Sequence, residues 1–512
     1  MNALVDADIP WDDLVTTALL GTGRRASPVP SLPGRDPATA LLDAAAVHTV
    51  RRRAAALPVP ARRRPGPAPA DPRPQLPDAA RRRLAGMLDD RAGPADGRRA
   101  AGPDLLELLP QWLAAAGRHG YRAPDELLPG LLDAARARTD LRPGALALAG
   151  PRGLWLARLN PQWAYALRTP AAGDPSPGDG QRVWREGLFA ERTAVLAAMR
   201  GYAPAAAREL LAGTWATERA EDRAAFLRTL REGLSPADEP FLERALDDRA
   251  RDVRALAAEL LASLPGSALA ARMTERARSC VTPEGGLIVV EAPDECDAAM
   301  RRDGISPDPP SGHGRRSWWL GRIVEATPLA FWPARLGVAG AAGAVALPVA
   351  DGRRADLHAA WCRAAVRSRD AEWARALLGP ATAPPAPDGS PGCDPARLLS
   401  VLPAPERAAW AARFVAAHGL SDAFRLLAVC EAPWARSLGR AVVDALGAAR
   451  EAGGYPWSFS GVMGLVERCA DPAEAGRLSA GRAGGADHWA EAFGRLEGTL
   501  RLRALMREEL GG

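Results

Sequence analysis

The sequence predicts a mostly α-helical chain, an α-solenoid of helix pairs with one small β-hairpin insertion. Two observations carry this. Five short amphipathic helices follow one another between 204 and 279 with only a few residues between them, the pattern of stacked antiparallel helices that bury their faces on their neighbours. The rhythm then breaks at 278–293, where Leu287, Ile288, Val289 and Val290 follow Pro283-Glu284-Gly285-Gly286, a β-rich run behind a turn signal.

Taken in order, residues 1–57 read as an N-terminal helical segment. Trp11, Leu14, Val15, Ala18 and Leu19 fall on one face of a 3.6-residue period. Asp8 is placed as the N-cap, Pro10 in the first turn, Asp12 and Asp13 at the positive helix start, and Gly21 at the left-handed stop. A second helix is expected over 38–53. Residues 58–100 read as a Pro/Arg-rich linker, because 58–77 hold eight prolines and an Arg62–Arg64 cluster. Residues 101–280 carry the helical repeats, with a helix pair over 104–138, Trp155 and Trp163 near a turn, and a flexible loop at 171–180. Residues 281–350 form the hairpin-containing insertion, and 351–512 return to helical repeats.

Composition limits the chemistry. All 66 basic residues are arginine, which excludes a Schiff-base lysine, a lysine general base and a P-loop lysine. Arg, Ala, Gly and Pro share GC-rich codons, so a high-GC bacterial genome is the simple cause. The net charge is +5, but residues 51–100 alone carry +8, with a mildly acidic remainder. The six cysteines show no C-x-x-C spacing, so no zinc site is expected and the thiols are expected reduced. The N-terminus lacks a signal-peptide pattern, and the longest uncharged stretch, 336–350, is too short and too weakly apolar for a bilayer. A cytoplasmic protein that makes no use of a membrane is expected.

FLERALDDRARDVRALAAELLASLPG (241–266) resembles a HEAT repeat: Leu246, Asp247 and Asp248, then Asp252, Val253, Arg254, Ala257 and Ala258 match its L-D-D…D-V-R-x-x-A-A pattern. The acids are expected to cap the second helix of the pair, and Arg254 to tie the turn to a neighbouring repeat. Over most of its length, through WDDLVTTALLGTGRR, GPRGLWLARLNPQW, ARELLAGTWATERAEDRAAFL, DECDAAMRRDGI and RDAEWARALL, the chain also resembles an uncharacterised bacterial family, domain of unknown function 5691. That resemblance implies no reaction. It implies a partner class, MoxR-type AAA ATPases with von Willebrand A proteins.

Gly21-Thr22-Gly23-Arg24-Arg25 looks like a phosphate loop, but its glycines follow a helix, where exposed carbonyls favour cations rather than phosphate. Arg24 and Arg25 are therefore expected to meet an acidic surface. Asp294, Glu295, Asp297 and Asp303, with His313 nearby, form the densest acidic cluster, which helix-start chemistry explains without a metal. The histidines are isolated and no G-x-S-x-G occurs, so neither a catalytic residue nor a cofactor is assigned. Of the fifteen tryptophans, Trp112, Trp215, Trp361, Trp373, Trp410 and Trp489 read as core packing, and Trp318 and Trp319 as candidates for lining a peptide groove. The resulting expectation is a non-enzymatic scaffold that binds protein. The alternative is nucleic-acid binding through the arginine-rich segment.

Overall fold

The computed structural model describes residues 9–30, 34, 36–54, 65–89, 105–168, 177–312, 314–383, 394–482 and 487–511. The chain divides into two compact units, Met1–Ala68 and Pro69–Gly512, a division that falls inside the segment read as a linker. The described residues are mostly helical, with one two-stranded antiparallel sheet.

In the first unit, helices Trp11–Leu20 and Pro37–Ala54 pack on each other. Pro10 stands at the N-cap, one position before the first turn, and Asp12 and Asp13 follow it there. Asp8 lies outside the described residues. The helix stops at Gly21, whose φ of 82° favours glycine, although its ψ of 144° lies outside the left-handed helical well. Asp36 caps the second helix by accepting from the Ala38 and Thr39 N–H groups at 2.9 and 3.0 Å. The shared core is small: Ile9, Leu14, Val29, Ala40, Leu41 and Ala44, with Trp11 beside it. The expected apolar stripe is split by this packing. Leu14 and Thr17 face inward, whereas Val15, Ala18 and Leu19 face out.

The second unit opens with a correction. Asp78–Asp89 is a helix inside the span assigned to a linker. Its Arg81–Arg83 run, read as linker charge, consists of good helix formers, and Ala80, Leu84 and Met87 recur at helical spacing and are fully buried. The helix packs on Leu105–Arg118, on Leu128–Ala137 and on the last helix, Asp487–Gly511. Met506 and Leu510 enter the same core cluster as Leu84 and Leu113. Arg83 clasps Glu509 at 2.7 and 3.1 Å, and the Tyr121 hydroxyl donates to Leu510 O at 3.0 Å. The first and last helices of this unit therefore meet.

All five helices of the 204–279 block form: Pro204–Thr214, Ala220–Thr229, Glu239–Ala245, Arg251–Ala262 and Ala268–Cys280. Each touches a neighbour in the block or the preceding helix Phe189–Tyr202. Arg200 locks the start of the block. Its side chain and that of Asp238 are both fully buried, paired at 2.9 Å, and Arg200 also donates to the carbonyls of Pro204, Glu232 and Gly233. A buried guanidinium is tolerated because its donors are satisfied so fully. Part of the expected flexible loop is also helical, since Pro177–Glu186 forms a helix, while 171–176 lies outside the described residues.

The hairpin forms as Val281–Glu284 and Leu287–Val290, in register from Val281 opposite Val290 to Glu284 opposite Leu287. Gly285 and Gly286 have φ of 59° and 83°, the two positive values that a tight two-residue hairpin turn demands. Ile288 and Val290 point into the core, and the Ile288 N–H bonds Pro348 O at 2.8 Å. No helix among the described residues is long and apolar enough to cross a membrane.

Candidate interaction surfaces

The residues singled out in the sequence do not converge. Arg25 donates to Asp13 of the helix preceding it at 2.9 Å, so the acidic surface it meets is its own, while Arg24 is exposed in the turn. Arg254 donates to the carbonyls of Asp248 and Arg249 at 2.7 and 3.0 Å, holding the turn within its own helix pair rather than reaching another. The helix Arg251–Ala262 has Ala250 at its N-cap. Asp248 acts one step earlier, accepting from the Ala250 N–H at 2.8 Å and pairing with Arg223 at 2.8 Å. Trp319 is only 7% exposed, and its indole N–H points at the carbonyls of Ser306 and Pro307. Trp318 packs against the core with Arg322 over its ring at 5.8 Å. Neither opens a groove. The tryptophans read as core behave as such: Trp112, Trp361, Trp373, Trp410 and Trp489 are buried, and Trp215 packs partly buried against Phe241.

The acidic cluster at 294–303 is dispersed among arginines and helix starts. Asp297 caps Ala298–Arg302 through the Met300 N–H at 2.6 Å, and Asp294 pairs with Arg316 at 2.9 Å. Asp303 is buried between Arg272 and Arg276, at 2.8 and 2.7 Å. His313 lies outside the described residues. Among those residues, no group of three or more His, Cys, Asp or Glu side chains could hold a metal. Cys280, Cys296, Cys430 and Cys469 are free, and burial pushes all four thiols up, Cys430 to about 11.

A polar knot that the sequence did not announce lies between Arg315–Ala326 and Arg354–Ser368. Glu325 accepts from Arg322 at 3.1 Å, Arg363 at 2.8 Å and Arg367 at 3.4 Å. Burial pushes its carboxyl up, but the three guanidinium groups outweigh that and hold it below the usual range. The i, i+3 pair Arg322–Glu325 is legible in a sequence, whereas the arginines from the second helix arrive only through packing.

Part of the arginine-rich segment is engaged by the fold. Arg73 bonds Asp71 at 2.7 Å and Ala147 O at 2.6 Å, Arg81 pairs with Glu126, and Arg83 with Glu509. Arg62–Arg64, Arg91, Arg98 and Arg99 lie outside the described residues.

Large apolar or aromatic side chains stand exposed at several places, Leu188 (75%), Phe189 (44%) and Tyr202 (53%) among them, and two groups are the most pronounced. On the N-terminal helix pair, Leu19 is 82% exposed, Leu42 68% and Val50 67%, joined by Val15 and Leu20. On the C-terminal helices, Tyr455 and Trp457 stand out beside each other, ring centroids 4.6 Å apart. Sequence reading missed both, for different reasons. Val15 and Leu19 were placed on one apolar helix face with Leu14, and the 455–459 stretch carries no motif.

No curated protein and no solved structure matches this chain. One family does, the family of unknown function (DUF5691), and its match runs from residue 13 to residue 510. A match across both units, from the first helix to the last, makes this chain a member of that family.

Proposed function

We propose that the chain is a non-enzymatic, cytoplasmic helical-repeat scaffold of HEAT-like pairs, and that the outward face of its N-terminal helix pair binds a protein partner. The observation that carries this reading is the apolar exposure of that face. Val15 and Leu19 lie one turn apart on the first helix, and Leu42 and Val50 lie two turns apart on the second. Exposed apolar side chains gathered on one small unit mark interaction sites. The basic residues Arg24, Arg51 and Arg53 are exposed on the same two-helix unit, so the fitting partner presents an apolar face with acidic flanks. The partner class implied by the family resemblance, a MoxR-type AAA ATPase working with a von Willebrand A protein, is the first to try. The test is co-purification from the native host with the full chain and with a Leu19→Glu/Leu42→Glu/Val50→Glu variant. A partner retained by the first and lost by the second supports the reading, whereas an identical set of proteins on both removes it.

A further inference from the structure

The Tyr455–Trp457 surface is preorganised, and that is what makes it informative. The segment between Arg436–Glu451 and Ser460–Cys469 is pinned from several sides. The buried Trp489 donates its indole N–H to Gly454 O at 2.8 Å, the Gly454 N–H reaches Ala449 O at 2.9 Å, and Gly453 bonds Arg450 O at 3.0 Å. Pro456 is buried, and Phe459 packs against Trp489 at 6.3 Å. A Cβ at Gly454 would sit 2.9 Å from Ala449 O, so the close approach needs glycine there. Yet this fixed segment holds its two large rings outward. Tyr455 is 60% exposed and Trp457 59%, stacked at an interplanar angle of 12°. The exposed His488 meets Trp457 edge-on, with centroids 5.9 Å apart. An anchored loop that holds two stacked rings in water presents a preformed aromatic face.

The charge around them selects the occupant. Glu451, four residues before Tyr455, is 75% exposed and pairs with Arg450 only at the edge of ion-pair range, 3.9 Å, while the Arg450 guanidinium lies over the Phe493 ring at 5.9 Å. Glu491, one helical turn beyond His488, is exposed and makes no ion pair among the described residues. Aromatic faces carry a negative quadrupole, and guanidinium groups stack on them while exchanging hydrogen bonds with neighbouring carboxylates. A neutral ligand would use the rings and leave the acids idle. We propose that Tyr455, Trp457 and His488, flanked by Glu451 and Glu491, form a docking site for an extended, arginine-bearing peptide segment of a partner protein. This is a second surface, independent of the N-terminal one.

The test uses the full chain and a fluorescein-labelled (Arg-Pro)4 peptide, read by anisotropy at low and moderate salt, with (Gln-Pro)4 as the control. Because the chain as a whole carries +5, general attraction works against a cationic probe. The expected result is saturable binding of the arginine peptide only. Trp457→Ala should weaken it about tenfold and Trp457→Phe much less, while Glu451→Gln/Glu491→Gln should weaken it about threefold and flatten its salt dependence. Unchanged circular dichroism spectra establish that the variants fold. The Leu19→Glu/Leu42→Glu/Val50→Glu variant should bind the peptide like the parent, so the two surfaces fail separately. Equal binding of (Gln-Pro)4, indifference to Trp457→Ala, no binding at low salt, or displacement of the peptide by maltohexaose would each overturn the proposal, the last in favour of a sugar site.

Discussion

Thr17 sits fully buried in the first helix, and its hydroxyl finds no hydrogen-bond partner among the described residues. Its neighbour Thr16, which is partly exposed, bonds back to Asp12 O at 2.6 Å. A buried hydroxyl without a partner carries its desolvation cost uncompensated, and valine keeps its shape. Thr17→Val should therefore stabilise the N-terminal unit by about 1 kcal/mol, seen as a rise in its thermal midpoint. Glu325 is the opposite case. Glu325→Gln would leave Arg322, Arg363 and Arg367 without their shared anion, at a cost of about 3 kcal/mol at neutral pH. Because the folded carboxyl holds its proton less readily than the unfolded one, the contribution of Glu325 is complete above its ordinary value of 4.5 and fades as the pH falls through the lower folded value. Denaturant titrations at pH 7 and pH 3 should show the variant's deficit shrinking in acid, and a deficit equal at both would contradict the assigned ionisation.

At the scale of elements, what the sequence made legible was periodicity, and what it hid was direction. The five helices of 204–279 and the hairpin could be read because their apolar spacing and their Gly-Gly turn are local signals. The helix Asp78–Asp89 was missed because eight prolines immediately before it set the composition of the window, although Ala80, Leu84 and Met87 already carried the helical period. The outward turn of Leu19 was hidden for another reason. Any stripe of apolar residues reads as core until a neighbour chooses which edge of it to cover, and here the covered edge runs through Leu14 and Thr17. Likewise Trp318 and Trp319 were expected to line a groove, and packing placed them against the core. The helix Asp78–Asp89 supplies the element-scale prediction. Leu84→Ala should cost about 2–5 kcal/mol of unfolding free energy, since Leu84 is fully buried in a core that includes the last helix. A true linker would tolerate the change without loss.

For the whole molecule, the meeting of Asp78–Asp89 with Asp487–Gly511 ties the two ends of the second unit together. An array in which each repeat touches only its neighbours can fray from either end. Arg83–Glu509 and the shared core of Leu84, Met506 and Leu510 close that route here. Of the basic segment, Arg83 contributes to this closure, while Arg81 pairs with Glu126 and Arg73 with Asp71. A body stabilised in this way offers a fixed frame, and the side chains not spent on the frame are the ones proposed to work.

The most direct measurement is quantitative co-purification from the native host, comparing the parent chain with Leu19→Glu/Leu42→Glu/Val50→Glu at matched expression and matched thermal midpoint. The account predicts at least one stoichiometric protein partner that is retained by the parent and reduced at least tenfold on the variant. Equal recovery of every partner by the two chains would contradict it.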